Sequence, residues 1–428
     1  MTHHNPRRKC AMRKSTIAWT AGCWALTLLA LPLVVSGSMG SMAAGELSVE
    51  DFKFDGPLGS QGATIERVDR NHFKISLGHA PNQPTWCNML YFQILRNAQG
   101  NTLRLDVEFT GGDAYRFNHN SATWSYDARN WQPIRWRQPD DPDRRGDSLF
   151  FPEFSEDVVY FGAQVPMSYE EMVELKDGWA KHPHATLHVL GHSLGKRKLL
   201  RLEITDADSP HPTEVRWGHW IGNQHPGEHN AQWRMAGMVD WLLSDAGADF
   251  RQRSVCHFVF MTSPDGPSNG WYRVNGQGVD MNRSYFPGGA DPERQAHEAY
   301  IVQKDLERLM ATESPPATVW SMHTWGGPVE PILLPGPEMG STLGPWEAFK
   351  AILLENDPGK LVKPLATRAK PGNGSHWNNG PFLQFGVSSI LCEGSGDWTS
   401  KQKSLDAGAI LMKSIADYYA GTRPVRPE

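Results

Sequence analysis

Residues 225–245 read HPGEHNAQWRMAGMVDWLLSD. Trp233, Ala236, Val239 and Leu243 recur at helical spacing, so a helix opens close behind Glu228. His225 and Glu228 sit on the turn into that helix, where an imidazole and a carboxylate three residues apart can converge on one cation. Downstream, SVCHFVFM (254–261) and ATVWSMHTW (317–325) read as buried strands. Asp291-Pro292-Glu293 supplies a cap, a proline at the first helical position and an early acid, predicting a helix to about residue 311. A last amphipathic helix is predicted over 404–420. Strands alternating with helices predict an α/β domain over 151–428, with a largely parallel or mixed central sheet flanked by helices.

Upstream the period changes. TLRLDVEF (102–109) alternates apolar and polar residues and runs into Gly111-Gly112, and Trp124, Trp131 and Trp136 stand among Asn, Ser and Asp turns. No helical period is sustained, which predicts an antiparallel β-sandwich over 44–150, bounded by the Asp/Pro/Arg-rich run 139–145. Before it lie Arg7, Arg8, Lys9, Arg13 and Lys14, then an apolar run over 17–35 and a small-residue stretch containing Ser41-Met42-Ala43. That order predicts a cleaved signal peptide over 1–43 and a periplasmic or secreted protein without a stable membrane partner; the rival is an uncleaved anchor.

The 428 residues are 39% hydrophobic and 21% charged, a balance that excludes a disordered chain, a collagen-like repeat and a multi-span membrane protein. The net charge of -5 comes without a basic stripe, so no nucleic-acid partner is expected. The 17 tryptophans read as aromatic-rich cores rather than a ligand-stacking surface. Cys87, Cys256 and Cys392 are too few for a disulfide framework; a single pair is open but not implied.

Gly191-His192-Ser193-Leu194-Gly195 fits G-x-S-x-G, the nucleophile elbow of serine hydrolases. The flanking ATLHVL and KRKLLRLEI both have strand character, with Leu200, Leu202 and Ile204 on one face. A hairpin cannot aim Ser193 from the start of a helix, so the serine-hydrolase reading is set aside.

Other residues give the H-x-x-E motif its company. His323 ends the apolar run ATVWSM, and Glu393 ends VSSILC just before Gly-Ser-Gly. Ligands gather at such strand ends in open α/β sheets. The glycine-rich WYRVNGQGVDMNR (271–283) brings Arg273, Asn282 and Arg283 close in sequence. Any one of these alone reads as a solvated loop residue; together they supply a metal site, a base and two anion-binding groups.

The chain resembles the zinc metallocarboxypeptidases of the carboxypeptidase A superfamily, and within them the cytosolic carboxypeptidase-like branch. NQHPGEHNAQW (223–233), SPDGPSNGWYR with GVDMNR (263–283), SMH (321–323) and ILCEGS (390–395) carry the resemblance. FGAQVPMSYEEM (161–172) and LGHSLGKRKLLRLEIT (190–205) extend it, and WCNMLYFQI (86–94) resembles the small sandwich preceding the catalytic domain in that branch. The resemblance implies one zinc per chain held by His225, Glu228 and His323. It implies Glu393 as general base and acid, Arg273 as polariser of the scissile carbonyl, and Asn282 with Arg283 as clamp for a terminal carboxylate. The implied substrate is a peptide, or a small amide, bearing a free carboxylate.

One departure narrows this. Enzymes of this type carry a tyrosine on a mobile loop before the general base, yet no tyrosine lies between Trp346 and Cys392. His376 and Trp377, in KPGNGSHWNNGP (370–381), stand as replacements. A zinc amidase acting on an N-acylated amino acid or a peptidoglycan stem peptide is therefore a rival, as is an inactive zinc-fold binding protein. His182, His184, His188 and His192 read as imidazoles on a solvated hairpin without an acid nearby rather than a second metal site. His219 and His229 flank the zinc motif, where either could orient a ligand.

Overall fold

Four strands run parallel through the middle of the fold, and each delivers its following residues to the same edge. In the computed structural model, which describes residues 45–109, 122–134, 136–137, 146–324, 332–339, 346–362, 365–368, 370–394 and 399–420, Trp217–Asn223 pairs in parallel with Ser254–Val259 on one side and Pro316–Met322 on the other. Pro316–Met322 pairs in parallel with Ser388–Cys392. The predicted leader and the 139–145 run lie outside the described residues.

The antiparallel hairpin Ala185–His192 and Lys198–Ile204 extends one side of this sheet; Ile332–Pro335 and Leu365–Arg368 extend the other, making eight strands in a mixed sheet. Every residue of Trp217–Asn223 and Ser254–Val259 is buried, as expected of strands covered on both faces. On one face lie the helices His229–Leu243 and Lys401–Tyr419. Gly237 and Gly408 let them touch, since a Cβ at either would strike the backbone of the facing helix. On the other face His297–Met310 sets Val302 and Leu306 against Trp220, Val259 and Val319.

The helix expected from Asp291 begins six residues later. Asp291 Oδ1 accepts from the Glu293 amide at 2.9 Å and the Asp291 amide donates to Gln295 Oε1, so the apparent cap closes a turn instead. The other end of the chain meets expectation, with the last helix at Lys401–Tyr419.

The N-terminal region holds two five-stranded sheets around a core that includes Phe73, Phe92, Leu105, Trp124 and Phe161. Phe92 and Phe161 stack with centroids 4.1 Å apart. Its pairings are antiparallel except that His72–Leu77 and Leu103–Phe109 run parallel. Its strand Val159–Gly162 lies beyond residue 150, so the sheet continues past the expected boundary. A separate ribbon, His79–Ala80 with Gln83–Cys87, leaves the sandwich. Trp217, Trp220, Trp233, Trp320 and Trp377 are fully buried, in keeping with tryptophan as core. Cys87, Cys256 and Cys392 are buried thiols in no disulfide.

Candidate metal centre

Three of the parallel strands end one or two residues before a predicted site residue, and the fourth leads into a longer loop that carries the rest. His225 follows Asn223, His323 follows Met322, Glu393 follows Cys392, and the loop after Val259 carries Arg273, Asn282 and Arg283. The sheet's geometry thus gathers residues as far apart in sequence as 225 and 393.

His225, Glu228 and His323 are all buried and converge on one point, their ligand atoms within 4.8 Å of one another. His225 Nδ1 lies 2.7 Å from Glu228 Oε1, His323 Nδ1 lies 2.9 Å from Glu228 Oε2, and the two Nδ1 atoms are 3.2 Å apart. Two imidazole nitrogens and a carboxylate facing inward are a three-ligand donor set suited to zinc with a fourth position open. Among the described residues no other group of three or more His, Cys, Asp and Glu side chains comes so close together.

The opposite ring nitrogens are held by partners that assign their tautomers. His225 Nε2–H donates to Asp280 Oδ1 at 2.9 Å. Ser321 Oγ donates to Gln224 Oε1 at 2.7 Å, so it accepts from His323 Nε2–H at 2.9 Å. Both Nδ1 lone pairs are thereby left for a metal, the arrangement by which hydrogen-bonded neighbours orient ligating histidines. The Thr324 amide donates to Glu228 Oε2 at 3.1 Å. Burial works to raise the Glu228 carboxyl, but the adjacent His225 and His323 hold it well below the usual carboxylate range. Burial likewise opposes ionisation of Asp280, and His225, Arg273 and Arg283 overcome it.

Glu393 is half-buried, and its pKa is pushed up to about 7, first by burial and then by the charge of Glu228. Arg273 is buried, with its Nε on Asp280 Oδ2. Asn282 is buried and accepts from the Trp377 amide at 3.0 Å; Arg283 is exposed. All seven predicted site residues thus issue from the same end of the parallel strands.

Three contributors escaped the sequence reading. Asp280 touches both His225 and Arg273, although it lies 55 positions from the first. Ser321 was findable, because a strand's two-residue period puts it on the face of His323. Arg234 is buried on the helix behind the motif and donates to the carbonyls of His323 and Glu393, tying two strand ends together.

Other expectations resolve differently. Trp377 is no lid: it is fully buried, stacked on Trp220 at 5.0 Å and edge-on to Tyr285. His376, beside it, is half-buried and its pKa is lowered to about 4, by burial and then by Arg283. Ser193 sits on a hairpin turn, its hydroxyl donating to Asp265 Oδ1 at 2.8 Å, as the rejection of the elbow requires. Two of the four hairpin histidines do have acids nearby, supplied from outside their own strand: His184 lies 3.5 Å from Asp206 and His188 lies 3.4 Å from Glu203. His219 turns into the core against Thr318 and Tyr419. His229 pairs with the sandwich's Tyr91 and with Gln232.

With this geometry in place, similarity to known proteins is informative. Residues 172–311 match the zinc carboxypeptidase family Peptidase M14, a span that includes His225, Glu228 and Arg273 and stops short of His323 and Glu393. The chain is 27% identical over 180 residues to cytosolic carboxypeptidase 3 of Mus musculus, covering 41% of this chain and 16% of that protein. It is 28% identical over 172 residues to cytosolic carboxypeptidase 2 of Xenopus tropicalis, covering 38% of this chain and 16% of that one. The chain therefore spans less than a fifth of the length of these curated relatives. Its fold is that of a metallo-carboxypeptidase from Burkholderia cenocepacia, with TM-score 0.69 and 19% identity over 86% of this chain and 98% of that one. A metallo-carboxypeptidase from Pseudomonas aeruginosa, solved in complex with (2-guanidinoethylmercapto)succinic acid, superposes with TM-score 0.68 and 19% identity over 86% and 98%.

Over residues 172–311 the chain matches the zinc carboxypeptidase family, and over about two fifths of its length it is similar to cytosolic carboxypeptidases. The metal of that family is zinc, and the donor set of His225, Glu228 and His323 fits it.

Proposed function

We propose that this protein is a zinc-dependent carboxypeptidase that hydrolyses the amide bond next to a free terminal carboxylate. The observation that carries the reading is the convergence of His225, Glu228 and His323 at the ends of parallel strands, with Glu393 issuing from the next strand of the same sheet. Zinc in such a site supplies an acidified water and an electrophile for the scissile carbonyl.

The chain's own groups do the rest. Glu393, near neutrality in its proton affinity, accepts the proton of the attacking water and passes it to the leaving nitrogen. Arg273 donates to the carbonyl oxygen as negative charge develops there, where a pre-oriented cation is most effective. Asn282 and Arg283 hold the terminal carboxylate; an exposed guanidinium fork fits that group bidentately and distinguishes a chain end from an internal bond.

A narrower amide substrate is a second reading, favoured by one observation. With Trp377 locked in the core and no tyrosine between Trp346 and Cys392, the loop leaves His376, half-buried and within electrostatic reach of Arg283 and Asp280, as its ionisable ring at the site. An inactive binding protein is disfavoured, because such a protein has no chemical need for Glu393.

The test is digestion of a peptide library varied at the C-terminus, with free and amidated ends, read by mass spectrometry. Metal-loaded protein should trim free ends only, and both a chelator and Glu393→Gln should abolish the trimming. Cleavage that survives chelation, or wild-type turnover in Glu393→Gln with zinc retained, contradicts the reading.

A further inference from the structure

We infer that Trp86, carried on the ribbon of the N-terminal sandwich, is a positioning residue for Arg273, so that the sandwich forms part of the catalytic apparatus. The inference rests on the carbonyl-polarising role given to Arg273 above.

Arginine has a long, flexible side chain, and a guanidinium left to itself samples many rotamers. Contacts with Asp280 and Trp86 restrain this one. Asp280 accepts from its Nε, which fixes the guanidinium within its plane. The indole of Trp86 lies beneath it, with Arg273 Cζ 5.0 Å from the ring centroid, a cation–π contact that holds the guanidinium from a second side. The carboxylate comes from the catalytic loop and the ring from the sandwich.

The ribbon is built to hold the ring there. Trp86 packs with Ala80, Trp271 and Val274 in a small apolar cluster that spans ribbon and catalytic loop. At the ribbon's tip the Pro81 carbonyl lies over Gly278, whose φ is +78°; a Cβ at that glycine would stand 2.5 Å from the carbonyl oxygen. Further along the same segment the Met89 amide donates to the Gly270 carbonyl at 2.7 Å. Tyr91 pairs with His229, the residue after the ligand Glu228. One stretch of sandwich, 79–91, therefore braces the Arg273 loop and the zinc motif together.

Positioning predicts a particular kinetic signature. Trp86→Ala and the larger, still apolar Trp86→Leu should each lower kcat about 10-fold, with KM within about twofold and zinc content at wild-type level. Trp86→Phe, which keeps a ring face, should recover most of the rate. The same changes made in an Arg273→Ala background should cost less than about twofold more, because the group being positioned is gone. Zinc content and thermal midpoint, measured for each variant, separate this from misfolding, and Trp86→Leu keeps the cycle usable if Trp86→Ala unfolds. Wild-type turnover in Trp86→Leu, or a full additional loss in the Arg273→Ala background, overturns the inference while leaving the role of Arg273 standing. Wild-type turnover in Arg273→Ala itself overturns both.

Discussion

His225 Nε2 lies 2.9 Å from Asp280 Oδ1, and that contact decides which ring nitrogen faces the metal. Because the same carboxylate takes the Arg273 Nε, Asp280 links the metal ligand to the oxyanion group. Asp280→Asn keeps the size but removes the charge that favours Nε2–H. It should weaken zinc affinity about 10-fold, within the range seen for partners of metal-bound histidines. Competition against a chromophoric chelator measures this, and unchanged affinity would remove the orienting role.

Ser193 gives the opposite expectation. Asp265 accepts from its hydroxyl at 2.8 Å, from the Gly195 amide at 2.8 Å and from Arg197 at 3.1 Å, so the elbow-like sequence closes a structural turn. Ser193→Ala should leave turnover intact and cost about 1–2 kcal/mol in stability, the price of a buried acceptor losing one donor. Urea unfolding and a peptidase assay on the same preparation check both halves. A collapse of kcat without a change in stability would revive the serine-hydrolase reading.

Much of this was legible because the chemistry sits on regular elements. Buried runs such as SVCHFVFM announce strands, and His323 and Glu393 stand where such runs stop. Ligand partners were less legible, since Asp280 meets His225 only through tertiary folding. Arg234 reads as a polar residue on a helix, yet the close approach of helix and strand ends buries it under backbone carbonyls. Trp377 misleads in another way: a tryptophan among Gly and Asn looks like a loop residue, whereas it is stacked on Trp220. The Asp-Pro-Glu at 291 shows that one local signal can serve either a cap or a turn.

Buried histidines set the acid limit of stability. Burial pushes His219 and His257 down to about 3 and His229 to about 4, whereas unfolding returns each to ~6.5. Between pH ~4 and ~6.5 the unfolded chain binds more protons at these three sites, so stability falls as pH drops through that window. Glu393 opposes them: raised to about 7, it holds a proton when folded that the unfolded chain has released. At pH 5 each histidine costs about 2 kcal/mol relative to pH 7 and Glu393 returns about 2, a net loss on the order of 4 kcal/mol. The urea midpoint of the metal-free protein should therefore be lower at pH 5 than at pH 7. An equal or higher midpoint at pH 5 would contradict the neutral burial of these rings.

The central claim is that three side chains from two strand ends hold one zinc ion. Elemental analysis of the purified protein by inductively coupled plasma mass spectrometry, beside His323→Ala, addresses it directly. One zinc per chain in the wild type, and loss of it in the variant at equal thermal stability of the chelated proteins, is the predicted result. A wild-type protein that binds no stoichiometric zinc after loading, or a His323→Ala variant that keeps it undiminished, would contradict the account.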